Sequence, residues 1–222
     1  MKRVLIAAAC LSWMLTAKAD GIEELSTAAY RDNPSAVTTL LVQGVNPNQR
    51  DAKGRTPLDV AIHFDNDRAL AALLADPALD VELPNSVGET PLMQAAIKGR
   101  VVLMEQLVKR GARINREGWT PLQYAASGET VSAARWLIQH GAEVNARGPE
   151  GRTALMMAAG FGPIDLSDVL ISAGADVTAR DEHGRSAADY AGNAGHDRLR
   201  AHLLALQAAA EAAAAAAVSE KH

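Results

Sequence analysis

A Thr-Pro-Leu tripeptide, or a close variant of it, recurs along the chain with a period near 33 residues. Successive copies are separated by 34, 30, 33 and 33 residues. Self-similarity at this period predicts a solenoid, in which each short unit buries its apolar side only by stacking on its neighbours. The copies are Thr56-Pro57-Leu58, Thr90-Pro91-Leu92, Thr120-Pro121-Leu122, Thr153-Ala154-Leu155 and Ser186-Ala187-Ala188.

Each part of the repeat has a mechanical role in a pair of helices. The Thr or Ser hydroxyl caps the first unpaired N–H groups of a helix, and Pro at the next position lacks the N–H that would find no partner there. Small residues five positions later allow close helix packing, and glycines end the second helices in a left-handed conformation. The small residues are Ala61, Ala95-Ala96, Ala125-Ala126, Ala158-Ala159 and Ala191-Gly192, and the glycines are Gly44, Gly111, Gly141 and Gly174.

Because these motifs recur in phase, the chain resembles the ankyrin-repeat family over roughly residues 21–206. The resemblance implies an all-α fold, an ankyrin-repeat solenoid of about six helix-turn-helix repeats with β-turn fingers. The repeats are expected at about 21–54, 55–88, 89–118, 119–151, 152–184 and 185–206, within a domain of residues 20–206. Residues 207–222 form an Ala-rich tail, predicted to be helical or disordered.

One departure from the family pattern concerns the residue after the tripeptide. Most family members have a His there, whose ring ties neighbouring turns together. This chain has Asp59, Met93, Gln123, Met156 and Asp189 instead. The sequence therefore does not predict inter-repeat hydrogen bonds of that kind.

The first residues are predicted to be a signal peptide, residues 1–19. Lys2 and Arg3 precede an apolar stretch over 4–16, and Ala17-Lys18-Ala19 supplies the small residues that a signal peptidase requires. The apolar stretch is too short to span a bilayer as a helix. The alternative, a buried first helix, does not account for the three-part pattern. We therefore expect a periplasmic or secreted protein.

Composition excludes several classes of site. The net charge of −4 does not favour a nucleic-acid partner, which requires clustered Lys and Arg. The only cysteine, Cys10, lies in the predicted signal peptide, so the mature chain has no thiol for a disulfide, a nucleophile or a metal. We expect no membrane insertion after signal cleavage, and a monomer.

The search for chemistry finds no catalytic constellation. The sequence contains no nucleophile elbow, phosphate loop, dinucleotide fingerprint or zinc-protease motif. His196 and His202 are six residues apart, which does not place them on one helix face. Asp65-Asn66-Asp67 lacks the Gly and Glu of a calcium loop. The sequence predicts no catalytic residue, no cofactor and no metal site, and therefore a protein that is not an enzyme.

The family resemblance implies that a protein partner lies on the concave face, which the fingers and the first helices form. Phe64, Trp119 and Phe161 are of the residue types that dominate interface energies. Phe64 and Phe161 are almost as well explained by a structural role, in which they fill the turns between helices. The predicted partner-binding residues are Lys53, Arg55, His63, Phe64, Val87, Glu89, Ile97, Lys98, Trp119, Ser127, Arg152, Phe161, His183, Arg185 and Asn193.

The sequence thus predicts a non-enzymatic protein–protein interaction module, a periplasmic or secreted adaptor that binds and protects or inhibits a protein partner. Two alternatives share its features: an immunity protein that neutralises a toxin, and a structural scaffold in an envelope complex. The sequence identifies neither the partner nor the choice among these roles.

Overall fold

The computed structural model describes residues 21–128 and 130–219, so the predicted signal peptide lies outside the described residues. The chain divides into two units, one ending at Pro91 and one beginning at Leu92. Within the described residues there is no β-strand, and one isolated bridge joins Arg180 to Ser186. The all-α prediction is confirmed.

The helices alternate as pairs separated by short turns. In the first unit they are α1 (21–30), α2 (Pro34–Val42), α3 (Pro57–His63) and α4 (Asp67–Leu74). The second unit continues with α5 (Pro91–Ile97), whose first residue closes the first unit, α6 (Val101–Lys109), α7 (Pro121–Ala126), α8 (Val131–Gln139), α9 (Ala154–Phe161), α10 (Ile164–Ser172), α11 (Ala187–Asn193) and α12 (Asp197–Ser219).

The predicted caps begin the first helices. The side-chain oxygens of Thr56, Thr120, Thr153 and Ser186 accept the N–H three residues later at 3.0, 3.2, 3.4 and 3.4 Å. Each bond satisfies one of the N–H groups that a helix start leaves unpaired. The glycines predicted to end second helices all have positive φ. Local sequence therefore specifies where these helices begin and end.

Small residues allow the first helices of the second unit to pack closely. Helix α7 packs against α9, and α9 packs against α11. Ala125, Ala126, Ala158 and Ala159 are fully buried along these contacts. A Cβ on Gly162 would lie 2.2 Å from the carbonyl oxygen of Ala126, so the chain can pass there only as glycine.

Asparagine side chains at the surface link successive repeats, a role that the sequence did not predict. The Nδ2 of Asn115 donates to the Gly141 carbonyl at 2.8 Å, and its Oδ1 accepts from the Glu143 N–H at 2.9 Å. The same two bonds join Asn145 to Gly174 and Asp176, and, in the first unit, Asn48 to Ala78 and Asp80. One amide thus fixes the position of the next repeat's turn.

Gln123 forms an inter-repeat bridge at the position where most family members have His. Its Nε2 donates to the carbonyls of Ala146 and Arg152 at 3.1 and 2.8 Å. Its Oε1 also accepts the Thr120 N–H at 3.0 Å. The missing His therefore does not remove inter-repeat hydrogen bonds from this repeat, because a Gln amide supplies donors in its place.

Trp136 lies on a second helix, where a core position is expected for an apolar side chain, but the structure does not bury it fully. Its ring is half-buried and stacks on the His140 ring, with centroids 3.9 Å apart and an interplanar angle of 20°. The two residues are four apart on α8, so their side chains lie on the same helix face.

Helix α12 extends beyond the repeat that it completes. Leu199 and Leu203 are buried, whereas residues 211–218 are exposed. By length and composition alone, the stretch Asp197–Val218 is sufficient to cross a membrane. Its first turn carries Asp197, Arg198 and Arg200, and its apolar character comes largely from alanine. The end of the repeat domain within this helix, and the expected lack of membrane insertion, stay predictions.

Candidate functional site

The finger before α11 is organised by one buried carboxylate. The Oδ1 of Asp181 accepts the N–H groups of His183 and Arg185 at 2.9 and 2.8 Å. Its Oδ2 accepts Nε of Arg185 at 2.8 Å and the hydroxyl of Tyr190 at 3.0 Å. The Arg185 guanidinium also lies 5.0 Å from the centroid of the Tyr190 ring. These contacts fix the orientation of the Arg185 side chain at the surface.

These hydrogen bonds change the ionisation of the groups involved. Burial alone would raise the pKa of Asp181, but the bonds from Arg185, Tyr190 and His183 outweigh it and hold the pKa far below its usual range. Burial, together with the bond donated to Asp181, raises the pKa of Tyr190. Because the Asp181 pKa is depressed by folding, its ionised form stabilises the protein above the unfolded pKa of about 3.8.

Replacing Asp181 with Asn is expected to lower the free energy of unfolding by about 2 kcal/mol at pH 7, because an NH₂ group would face the donors of Arg185 and Tyr190. The difference from the parent protein should shrink as the pH falls below about 4, where the parent loses its carboxylate-dependent stability. Urea unfolding at pH 7, 5 and 3 measures this, with the exposed Asp165→Asn as control. A loss that does not change with pH would contradict the assigned role.

Two fingers of the first unit have the same geometry. In one of them, the first side chain donates the hydrogen bond between the two side chains instead of accepting it. Asp51 accepts Nη2 of Arg55 at 2.8 Å, as Asp181 does from Arg185. In the next finger Asn85 donates its Nδ2 to Oε2 of Glu89 at 2.8 Å, while its Oδ1 accepts the Glu89 N–H at 3.0 Å. Where the first finger has Asp followed by Arg four residues later, the second therefore has Asn followed by Glu. The finger framework therefore presents either charge in a fixed position.

An aromatic and arginine cluster lies at the start of α7 and α9. The Arg152 guanidinium lies 5.9 Å from the Trp119 ring centroid and forms an ion pair with Glu150. The Trp119 ring meets the Tyr124 ring edge-on, with centroids 6.1 Å apart. Trp119 and Arg152 are both half-buried, so each presents part of its side chain to solvent.

Phe161 lies at the other end of α9. It is 63% exposed, and its centroid is 6.5 Å from that of Tyr190. It does not fill the turn after α9, because most of its ring faces solvent. We call Trp119, Arg152, Phe161 and Arg185 the aromatic–arginine surface; Arg152 contacts Trp119, while Phe161 and Arg185 both contact Tyr190.

The structure places every predicted partner-binding residue at the surface. Nine are exposed and six are half-buried. The exposed ones are Lys53, His63, Phe64, Val87, Ile97, Lys98, Phe161, His183 and Asn193, and the half-buried ones are Arg55, Glu89, Trp119, Ser127, Arg152 and Arg185. Their binding role stays a prediction.

Sequence reasoning missed three tyrosines that pack against predicted site residues. Tyr124 and Tyr190 contact Trp119 and Phe161 in the second unit. In the first unit Tyr30 contacts Phe64, with centroids 4.8 Å apart. Tyrosine at the fourth position after the capping Thr or Ser was the available signal for Tyr124 and Tyr190.

The described residues contain no group of three or more His, Asp or Glu side chains arranged to hold a metal ion. The contact between His202 and Asp168 spans 3.8 Å between exposed side chains. The exposed rings, the guanidinium groups and the fingers are arranged to contact the surface of another molecule.

Comparison with known proteins agrees with this reading of the fold. Three overlapping matches to a family model described as "Ankyrin repeats (3 copies)" cover residues 25–117, 65–148 and 103–181. The chain belongs to the ankyrin-repeat family. Ankyrin-repeat proteins are in general interaction modules that bind other proteins.

The similar curated proteins are much longer than this chain. It is 39% identical to human neurogenic locus notch homolog protein 4 over 88 residues, which are 40% of this chain and 4% of that protein. It is 46% identical to human Rabankyrin-5 over 56 residues, which are 25% of this chain and 5% of that protein. The likeness to these proteins is therefore confined to short stretches of them.

Two solved structures are similar over most of this chain. One is a chain from the complex of the Bd0816 predatory endopeptidase of Bdellovibrio bacteriovorus with the immunity protein Bd3460, with a TM-score of 0.69, 28% identity, and coverage of 81% of this chain and 96% of that one. The other is an ankyrin repeat domain from Acinetobacter baumannii, with a TM-score of 0.69, 28% identity, and coverage of 82% and 96%.

Proposed function

We propose that this ankyrin-repeat protein is an exported adaptor that binds a protein partner through the aromatic–arginine surface and thereby protects or inhibits it. The observation that carries the proposal is the exposure of Phe161 on the helix whose start presents Arg152 against Trp119. Trp, Tyr and Arg are the residues in which interface energy concentrates. A partner that covers the exposed Phe161 ring would remove apolar surface from water, which favours binding.

The surface has a definite length. The starts of α7 and α9 are adjacent because Arg152 lies over Trp119, and their ends are adjacent because Gly162 meets Ala126. The two helices therefore run side by side in the same direction. A partner that contacts both Trp119 and Phe161 spans the length of one first helix, about 12 Å at the rise of an α-helix, and also the spacing between two neighbouring helices.

Site-specific photo-crosslinking tests this proposal. A benzophenone amino acid in place of Phe161 should crosslink one protein species in intact cells of the native organism. The same group in place of Val102, which is 71% exposed on α6, serves as the matched control and should not capture that species. Capture of the same species from both positions, or from Val102 alone, would contradict the assignment of the aromatic–arginine surface as the binding site.

The likeness to a chain of the endopeptidase–immunity complex favours a more specific candidate. In this candidate the chain is an immunity protein and the captured partner is an enzyme that is harmful to its own cell. Adding purified protein to the captured partner should then abolish the partner's activity. An active partner in the saturated complex would favour an adaptor that protects it.

Export is part of the proposal, and the basic start followed by an apolar stretch and Ala17-Lys18-Ala19 supports it. The protein isolated from its native cells is expected to begin at Asp20, because cleavage follows Ala19. N-terminal sequencing and intact mass of the native protein measure this, with its distribution between periplasmic and cytosolic fractions. An uncleaved chain in the cytosol would remove the proposed compartment.

A further inference from the structure

A second surface feature lies wholly in the first unit, between α1 and the finger that begins at Asp51. It is a cleft of about 370 Å³, large enough for one or two side chains. Tyr30 and Phe64 form one wall, with their rings edge to face and 56% and 43% exposed. Lys53 and Arg55 come from the finger, and Glu23 and Ser26 from α1. We call this the Tyr30–Phe64 cleft.

Ser26 is the unusual residue of the cleft. It is 4% exposed, its hydroxyl oxygen is buried, and it has no hydrogen-bond partner. Buried hydroxyl groups are nearly always paired, because leaving one unpaired costs free energy that water or a ligand would recover. Ser26 is one of the residues that line the Tyr30–Phe64 cleft, so a rotation of its side chain about χ1 would bring the unpaired hydroxyl to a group that enters the cleft.

The charged groups around the cleft differ in how many of their hydrogen-bonding atoms are already paired. Glu23 already accepts the Ala52 N–H at 2.6 Å. Asp51 uses both oxygens, one for the N–H groups of Lys53 and Arg55 and one for the Arg55 guanidinium. The ammonium group of Lys53 and the Nη1 of Arg55 make no hydrogen bond in the described structure. Apart from the second carboxylate oxygen of Glu23, the unused groups are therefore donors: Lys53, Arg55 and Ser26.

The ionisation state of Asp51 helps to keep these donors available. Burial would raise its pKa, but the hydrogen bonds from Arg55 and the Lys53 N–H outweigh that effect and lower it. Asp51 therefore stays ionised at neutral pH and holds the Arg55 guanidinium over the cleft. Because its own acceptor sites are occupied, it does not compete for the remaining N–H of Arg55.

We propose that the Tyr30–Phe64 cleft binds an acidic side chain of the protein partner, with an adjacent apolar side chain lying against the two rings. Carboxylate oxygens accept from the Lys53 ammonium, the Arg55 Nη1 and the Ser26 hydroxyl. Hydrogen bonds to ionised groups are about twice as strong as neutral ones. This assignment rests on the proposed function, since it names the chemistry of the partner for that function.

Two blocked dipeptides that differ only in charge provide the test. Acetyl-Phe-Glu-amide and acetyl-Phe-Gln-amide are titrated into the isotope-labelled protein and followed by NMR. The glutamate peptide should shift the amide signals of Ser26, Lys53 and Phe64 and bind about tenfold more tightly than the glutamine peptide. Equal affinity, shifts elsewhere only, or no binding at tens of millimolar would each overturn the proposal.

A variant keeps the test independent of unfolding. Ser26→Ala removes only the unpaired hydroxyl, so it should leave thermal stability unchanged or raise it. It should also lower the affinity for the glutamate peptide several-fold. The matched control Ser35→Ala, at an exposed position on α2, should leave affinity unchanged. Full affinity in Ser26→Ala contradicts the assignment. Failure of this cleft would leave photo-crosslinking from position 161 unaffected, so the two proposals fail separately.

Discussion

Replacing Trp119 and Phe161 together with alanine is expected to lower affinity for the captured partner about 100-fold. Both rings reach solvent, and neither supplies a buried wall of the repeat core. Trp119 also orients the Arg152 guanidinium, so its removal weakens a second contact. Isothermal titration calorimetry with the purified partner measures the loss.

The fold should survive this double change. Circular dichroism and the urea midpoint should stay close to those of the parent, because the side chains removed are exposed or half-buried. The matched control is Val102→Ala with Ile164→Ala, which removes two exposed apolar side chains from second helices. Equal affinity loss in the control pair, or none in Trp119→Ala with Phe161→Ala, would contradict the assigned surface.

Gln123→Ala is expected to lower the free energy of unfolding by about 3 kcal/mol. The side chain is 1% exposed, and its loss leaves a cavity. The Thr120 N–H and the Ala146 carbonyl lose the hydrogen bonds that Gln123 provides, and the Arg152 carbonyl loses one of its two. Urea unfolding followed by circular dichroism gives the difference.

Two further variants decide whether the bridge causes that loss. Gln139→Ala removes the same side chain from an exposed position on α8 and should change stability by less than about 0.5 kcal/mol. Gln123→His introduces the residue common in the family at this place and should retain more stability than Gln123→Ala. A small loss in Gln123→Ala would show that the inter-repeat bridge contributes little.

The features that the sequence predicted are those decided by neighbours along the chain. Thr56 and Thr120 cap helices because a cap needs only the three residues that follow it. Gly111 and Gly141 end helices because the left-handed conformation is a property of one residue. The repeating period then converts these local signals into a complete fold class.

The features that were missed depend on contacts between repeats. Gln123 reaches carbonyls 23 and 29 residues away, and Asn115 reaches one 26 residues away. Nothing within one repeat reveals these distances. Trp136 lies at a helix position where apolar residues are usually buried, but its ring packs on the His140 ring at the surface instead. These contacts depend on side-chain geometry in the folded protein, which the sequence period does not reveal.

The exposure of the candidate site was predicted better than its internal contacts. The sequence is compatible with Phe161 either contacting a partner or filling the turn between helices, and the 63% exposure of the residue does not fit the second role. The sequence does not predict the network of Asp181, Arg185 and Tyr190, because Tyr190 is nine residues from Asp181 and lies on the next helix. Its effect is to hold Arg185 in place.

Hydrogen exchange of the protein with and without its captured partner tests the binding surface most directly. We predict slower exchange for peptides covering residues 117–127 and 150–162, and unchanged exchange across α8 and α10. Protection confined to α8 and α10, with 117–127 and 150–162 unaffected, would contradict the account.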